Sequence, residues 1–176
     1  MAKSYNNIGI VHEKRGDYEE ALVQLRRALD IKTRVVGQDH PDVAVSYNNI
    51  GIVYKNQGKY EEALVQYQKA LQVFLAVHGQ DHPSVADSYN NIGNVYNSQG
   101  KYEEALVQYQ KALAIYLAVH GQDHPDVAKL YNNIGVVYGS QGNTSAATEM
   151  YTKAYHIYLQ VLGPDHPSTQ GLKPFV

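Results

Sequence analysis

Three kinds of side chain in this sequence have types and spacings that could do chemistry. Asparagines come in pairs, Asn6-Asn7, Asn48-Asn49, Asn90-Asn91 and Asn132-Asn133, and each primary amide both donates and accepts hydrogen bonds. Histidines recur four residues apart, as His78-x3-His82 and His120-x3-His124, with Asp81 and Asp123 beside them. That spacing resembles a pair of metal ligands. Glutamates are paired as well, at Glu61-Glu62 and its copies, where two carboxylates invite an acid–base reading.

Two of the three have simpler explanations. A His-x3-His pair holds an ion best when both rings share one helix face, and Gly79 and Gly121 interrupt any helix between them. The other two copies carry Val36 and Leu162 in place of the first histidine. The histidines are therefore read as turn residues, and no metal site is expected. The glutamates stand at the expected starts of helices, where carboxylates favour the positive end of the helix dipole. The chain has no cysteine, no Gly-x-Ser-x-Gly elbow and no phosphate-cradling glycine loop. Neither an enzyme nor a bound cofactor is expected.

Charge and hydropathy exclude other classes. The formal net charge is −2 with mixed signs, unlike the one-sided basic field suited to nucleic acid or an anionic membrane surface. The longest apolar run, Ala112 to Val119, is far short of the ~20 residues that span a bilayer. Absence of cysteine fits a reducing compartment, and no charged-then-apolar leader opens the sequence. A cytoplasmic protein that binds neither nucleic acid nor membrane is expected.

The elements that position these residues follow from a repeat. Tyr-Asn-Asn-Ile-Gly begins at Tyr5, Tyr47, Tyr89 and Tyr131, a period of 42, and 34 of 42 positions are identical between 43–84 and 85–126. Self-similarity at such a fixed period marks a solenoid of stacked supersecondary units. Tyr47, Ile50, Gly51, Val53 and Tyr54 share one side of a helical wheel, which predicts a first helix of roughly Pro41–Asn56. Gly58 ends it. A second helix starts near Lys59 and carries Tyr60, Ala63, Leu64, Tyr67, Ala70, Leu71 and Phe74. Gly79 stops it, and Gln80-Asp81-His82-Pro83 leads on, with Pro83 in a first turn capped by Asp81 or His82. Gly51, Ala63 and Ala70 allow close approach, and the tyrosines are read as core.

The pattern Tyr47-x2-Ile50-Gly51-x2-Tyr54, then Ala63-x3-Tyr67-x2-Ala70, resembles the tetratricopeptide signature, with tyrosine where tryptophan and phenylalanine are common. The period, the Gly-x-Asp-His-Pro link and the paired asparagines resemble the kinesin light chain type of this repeat. The resemblance implies an all-α fold: a right-handed superhelical solenoid of four antiparallel helix pairs, its first helices lining a concave groove that binds extended peptides. The expected organisation is a single repeat domain, 1–162, with units of about 1–40, 41–82, 83–124 and 125–162. A tail, 163–176, follows. Gly171 and Pro174 argue against a full fifth helix there, leaving Leu172 and Phe175 to fold over the last unit. End copies depart from the pattern: His12 stands for Tyr54, and Thr144 and Thr148 for Tyr60 and Leu64.

The wheel then locates the groove chemistry. Val45, Asn48, Asn49, Ile52, Lys55 and Asn56 share the face opposite the packed one. Eight positions differ between the second and third copies, and four of them lie on this face: Val45/Asp87, Ile52/Asn94, Lys55/Asn97 and Asn56/Ser98. Asn7, Asn49, Asn91 and Asn133 are expected to hold a peptide backbone whatever its sequence, a role the family resemblance supports. Asn6, Asn48, Asn90 and Asn132, at the edge of the face, assist or bond between units. Lys3, Ile10, Lys14, Val45, Ile52, Lys55, Asp87, Asn94, Asn97, Lys129 and Val136 would supply side-chain preference. The competing expectation is that the asparagines only stitch neighbouring helices. The function expected is a protein-interaction scaffold for an extended segment of a protein partner. Its rival is a structural array that self-associates through exposed terminal helices.

Overall fold

The structure, a computed structural model, describes residues 1–175. Among them are nine α-helices, one closing 3-10 turn and no strand. The first helices of the repeats are α1 (Ala2–Arg15), α3 (Pro41–Asn56), α5 (Pro83–Ser98) and α7 (Pro125–Ser140). The second helices are α2 (Tyr18–Val36), α4 (Tyr60–His78), α6 (Tyr102–His120) and α8 (Thr144–Leu162), and a short α9 (Pro167–Leu172) follows. The helical period of the sequence is thus realised as 16-residue first helices, 14 in the shorter α1, and 19-residue second helices.

The chain divides into two compact units, Met1–Ser88 and another from Tyr89 onward. In the first, α1 packs on α2, α2 on α3 and α3 on α4. Ala21, Leu22, Leu25, Ile50 and Val53 form a buried core, with Tyr18, Leu29 and Tyr54 packed against it. In the second, α6 packs on α7, α7 on α8 and α8 on α9. Leu172 is buried there, and the Phe175 ring lies 5.0 Å from that of Tyr151.

Small residues set the spacing within each helix pair. A Cβ on Gly51 would lie 2.7 Å from the Tyr67 ring, and one on Gly93 would lie 2.7 Å from the Tyr109 ring. Tyr67 and Tyr109 are fully buried, as are Ala63, Ala70, Ala105 and Ala112. Burial pushes both phenols well above their usual pKa range, and the Glu13 carboxylate adds to this at Tyr67. Tyr47, Tyr89 and Tyr131, which open the repeated motif, are half-buried and each faces a lysine. Lys69 lies 5.5 Å from the Tyr47 ring centre, Lys111 5.3 Å from Tyr89 and Lys153 5.6 Å from Tyr131.

The links resolve which residue caps α3, α5, α7 and α9. His40, His82, His124 and His166 accept through Nδ1 from the backbone N–H two residues on, at 3.1–3.2 Å. Each is followed by proline, whose missing N–H sits in the helix turn that needs none. Histidine, rather than aspartate, is the cap. His82→Ala is expected to lower stability by about 1 kcal/mol, roughly 2–4 °C in melting temperature. His82→Asn, which keeps an acceptor, should restore most of that loss in thermal melts followed by circular dichroism.

Candidate functional site

The paired asparagines meet across successive first helices. In the first unit, Asn49 Nδ2 donates to Asn6 Oδ1 at 2.8 Å. In the second, Asn133 Nδ2 donates to Asn90 Oδ1 at 2.9 Å, and Asn90 is buried. A primary amide carries two N–H groups and an oxygen with two lone pairs. Each bond therefore orients Asn49 or Asn133 and leaves it one N–H and its carbonyl oxygen. Asn7 is exposed, and Asn49, Asn91 and Asn133 are half-buried. Asn48 is half-buried with its Oδ1 lacking a hydrogen-bond partner among the described residues. Asn132 lines a separate cavity with Tyr158, Ser168, Gly171 and Leu172.

Beside Asn49 lies a cavity of about 270 Å³, lined by Ile10, Glu13, Lys14, Leu25, Asn49, Ile52 and Val53. Its apolar floor comes from α2 and α3, and its charged rim from the last turn of α1. The cavity has a local cause. Leu25 occupies the register held by Tyr67, Tyr109 and Tyr151 in the later repeats, and leucine is too short to fill what a tyrosine fills. At the corresponding place of the second unit the Tyr109 ring is packed in, and its hydroxyl donates to Asn94 Oδ1 at 2.8 Å. Asn94 is thereby tied to the core.

The structure gathers Ile10, Lys14, Asn49 and Ile52 around one cavity and leaves other expected residues elsewhere. Lys3 lines a different pocket with Ala2, Ile31, Lys32, Val35, Val36 and Asp42. There burial lowers the pKa of Lys32, partly offset by Asp42. Val45, Asp87, Lys129 and Val136 are exposed on the first helices, and Lys55 and Asn97 are half-buried.

The histidine pairs come closer than a glycine break suggests. His78 and His82 stack with ring centres 4.1 Å apart, and His120 and His124 do likewise. Ligand atoms of His120, His124 and Asp126 lie within 4.8 Å of one another. Near-parallel rings, inclined by 17°, carry their nitrogen lone pairs in separate planes, and His124 Nδ1 is engaged in its cap. These groups build the turn.

The family profile of the tetratricopeptide repeat matches residues 1–76, 42–118 and 84–160. The chain is a tetratricopeptide-repeat protein. Solved structures of this fold resemble it closely. BtubC (BKLC) from P. vanneervenii shares 29% identity over 94% of this chain with a TM-score of 0.81, and this chain spans 66% of it. A kinesin light chain-like protein of Podosopora anserina, with nearly identical TPR-like repeats, shares 20% identity over 98% of this chain and 82% of its own. Its TM-score is 0.80, and a single-residue variant of that protein gives 0.81. No curated protein matches the sequence.

Within this tetratricopeptide-repeat protein, Leu25, Glu13 and Val53 are the cavity residues that the wheel missed. Leu25 was detectable: it is the one leucine in a register otherwise occupied by tyrosine. Glu13 projects from the same helix end and accepts from Asn56 Nδ2 at 2.6 Å. The helix-start glutamates also have a second role, since Gln57 donates to Glu19 at 2.9 Å and Gln141 to Glu103 at 3.0 Å. No described helix is long and apolar enough to cross a membrane.

Proposed function

We propose that the protein is a non-enzymatic scaffold that holds an extended segment of a partner protein on the face formed by its first helices. The observation that carries this reading is the cavity beside Asn49, where an oriented amide adjoins an apolar pocket. A pocket of about 270 Å³ is smaller than the roughly 300–1,000 Å³ of small-molecule sites. It suits one aliphatic or aromatic side chain of a longer chain. Asn49, with one N–H and its oxygen uncommitted, matches the donor and acceptor that every extended peptide unit presents. Asn133 offers the same pair in the second unit. Lys14 and Glu13 at the rim select for side chains flanking the anchor.

The test is a peptide-array screen followed by titration of the best peptide against two variants. Asn49→Ala removes both the internal bond and the peptide contacts, whereas Asn6→Ala removes the same internal bond from its other partner. Both should melt within a few degrees of the parent, since one half-buried hydrogen bond contributes about 0.5–1.5 kcal/mol. Affinity should fall roughly 5- to 30-fold for Asn49→Ala, equivalent to about 1–2 kcal/mol, and much less for Asn6→Ala. Equal losses would mean that the amides only stitch the helices, and the proposal would fail.

A further inference from the structure

The links that lead into α5 and α7 are built alike except at one residue. In each, two imidazoles stack, His78 on His82 and His120 on His124, with ring centres 4.1 Å apart. A ring of the preceding helix extends each stack, Phe74 at 6.1 Å from His78 and Tyr116 at 5.6 Å from His120. The second histidine then caps the next helix through Nδ1, accepting from the Ser84 N–H at 3.1 Å or the Asp126 N–H at 3.2 Å. That donor residue is where the links part. The Asp126 carboxylate returns to 3.4 Å from His124 Nδ1, whereas Ser84 brings only a hydroxyl. Among the described residues His82 has no ion-pair partner.

We propose that the link into α5 is an acid-sensitive joint, at which protonation of His82 releases the first turn of α5 while the matched link into α7 holds. An accepting Nδ1 fixes the tautomer with hydrogen on Nε2, so an added proton must land on the capping nitrogen itself. Imidazole gains that proton between about pH 8 and 5. At His82 it sets two N–H donors against each other, places a cation at the positive end of the α5 dipole, and repels His78 once that ring is charged as well. At His124 the same proton faces the Asp126 carboxylate, and an ion pair replaces the lost cap. The other charged groups do not create this difference. Asp81 and Asp123 precede the two caps alike, and Asp87 and Lys129 share a register a turn beyond them. Tyr158 of α8 faces Asp126, but burial and that carboxylate both raise its pKa, so it stays uncharged here. The cap excludes a proton that the released turn accepts, so stability falls as pH falls.

Amide hydrogen exchange of the whole chain, read by NMR as protection relative to an unstructured peptide, tests this at single residues. The reporters are matched: Val85 and Ala86 donate to the His82 carbonyl, and Val127 and Ala128 donate to that of His124. Between pH 7.5 and 5, protection of Ser84, Val85 and Ala86 should fall about fivefold, the effect of losing one cap. Asp126, Val127 and Ala128 should change less than twofold. Ser84→Asp should make the start of α5 as acid-resistant as that of α7, and Asp126→Ser should make α7 acid-sensitive. His82→Asn, a cap that does not titrate, should stay protected at both pH values. Equal losses at the two helix starts, or an acid loss that persists in His82→Asn, would overturn the proposal.

Discussion

Tyr67→Ala is expected to be the most destabilising single change in the first unit, by about 3–5 kcal/mol as for other large buried rings. That loss corresponds to a fall of roughly 6–20 °C in melting temperature. Tyr67 is 1% exposed and lies against Gly51, where a methyl group would sit 2.7 Å from the ring. Gly51→Ala therefore opposes two effects. Alanine gains about 1 kcal/mol in helix propensity over glycine, while overpacking a rigid ring costs about 1–3 kcal/mol. Overpacking should win, because the ring has no exposed side toward which to retreat. The two changes must then be coupled. In the Tyr67→Ala background the added methyl meets space rather than a ring, so Gly51→Ala should become neutral or stabilising. A double-mutant cycle by urea unfolding reads the coupling directly. Strict additivity would show that the glycine is there for some reason other than contact with the ring.

Leu25→Tyr should abolish most peptide affinity without harming the fold. The substitution puts into the first repeat the residue that the other three already carry. Gly9, which stands against Leu25 as Gly51 stands against Tyr67, gives the ring the same bare helix surface to lie on. The cavity lined by Ile10, Leu25, Ile52 and Val53 would then close. A peptide that anchors one apolar side chain there loses about 1.5–3 kcal/mol of burial, roughly 10- to 150-fold in affinity. The melting temperature should hold or rise, since a void is filled. Calorimetric titration with the peptide found by array screening distinguishes the outcomes. Unchanged affinity in the Leu25→Tyr protein would remove the cavity from the mechanism.

The amide and the pocket are separable by these variants. Asn49→Ala acts on contacts common to any extended segment, whereas Leu25→Tyr acts on one side chain of the ligand. A scan of peptide sequences should therefore keep its ranking in the first variant and lose its apolar anchor preference in the second.

Most of the architecture was legible in the residues because it is local and repeated. Tyr-Asn-Asn-Ile-Gly at a constant spacing, glycine at helix ends, and proline at helix starts each act within a turn or two of the chain. The observed α3, Pro41–Asn56, and α4, Tyr60–His78, follow from those signals. Gly51 and Ala63 announced close packing because only small residues permit it. What the wheel could not do was assign partners across repeats. It placed Asn49 and Asn6 on one face, but only the packing of α1 against α2 and α3 brings Asn49 Nδ2 within 2.8 Å of Asn6 Oδ1. It grouped Asn94 with the variable positions, whereas the length of the Tyr109 side chain on another helix ties that amide down. It left Asp81 and His82 as equal candidates for the cap, and the backbone path from Gly79 to Pro83 chose His82. The cavity beside Leu25 is likewise a property of volume shared among three helices. A sequence states which side chain is shorter; whether neighbours collapse into the gap or leave it open depends on the rigidity of α1 and α3, and that is decided only when the helices are packed.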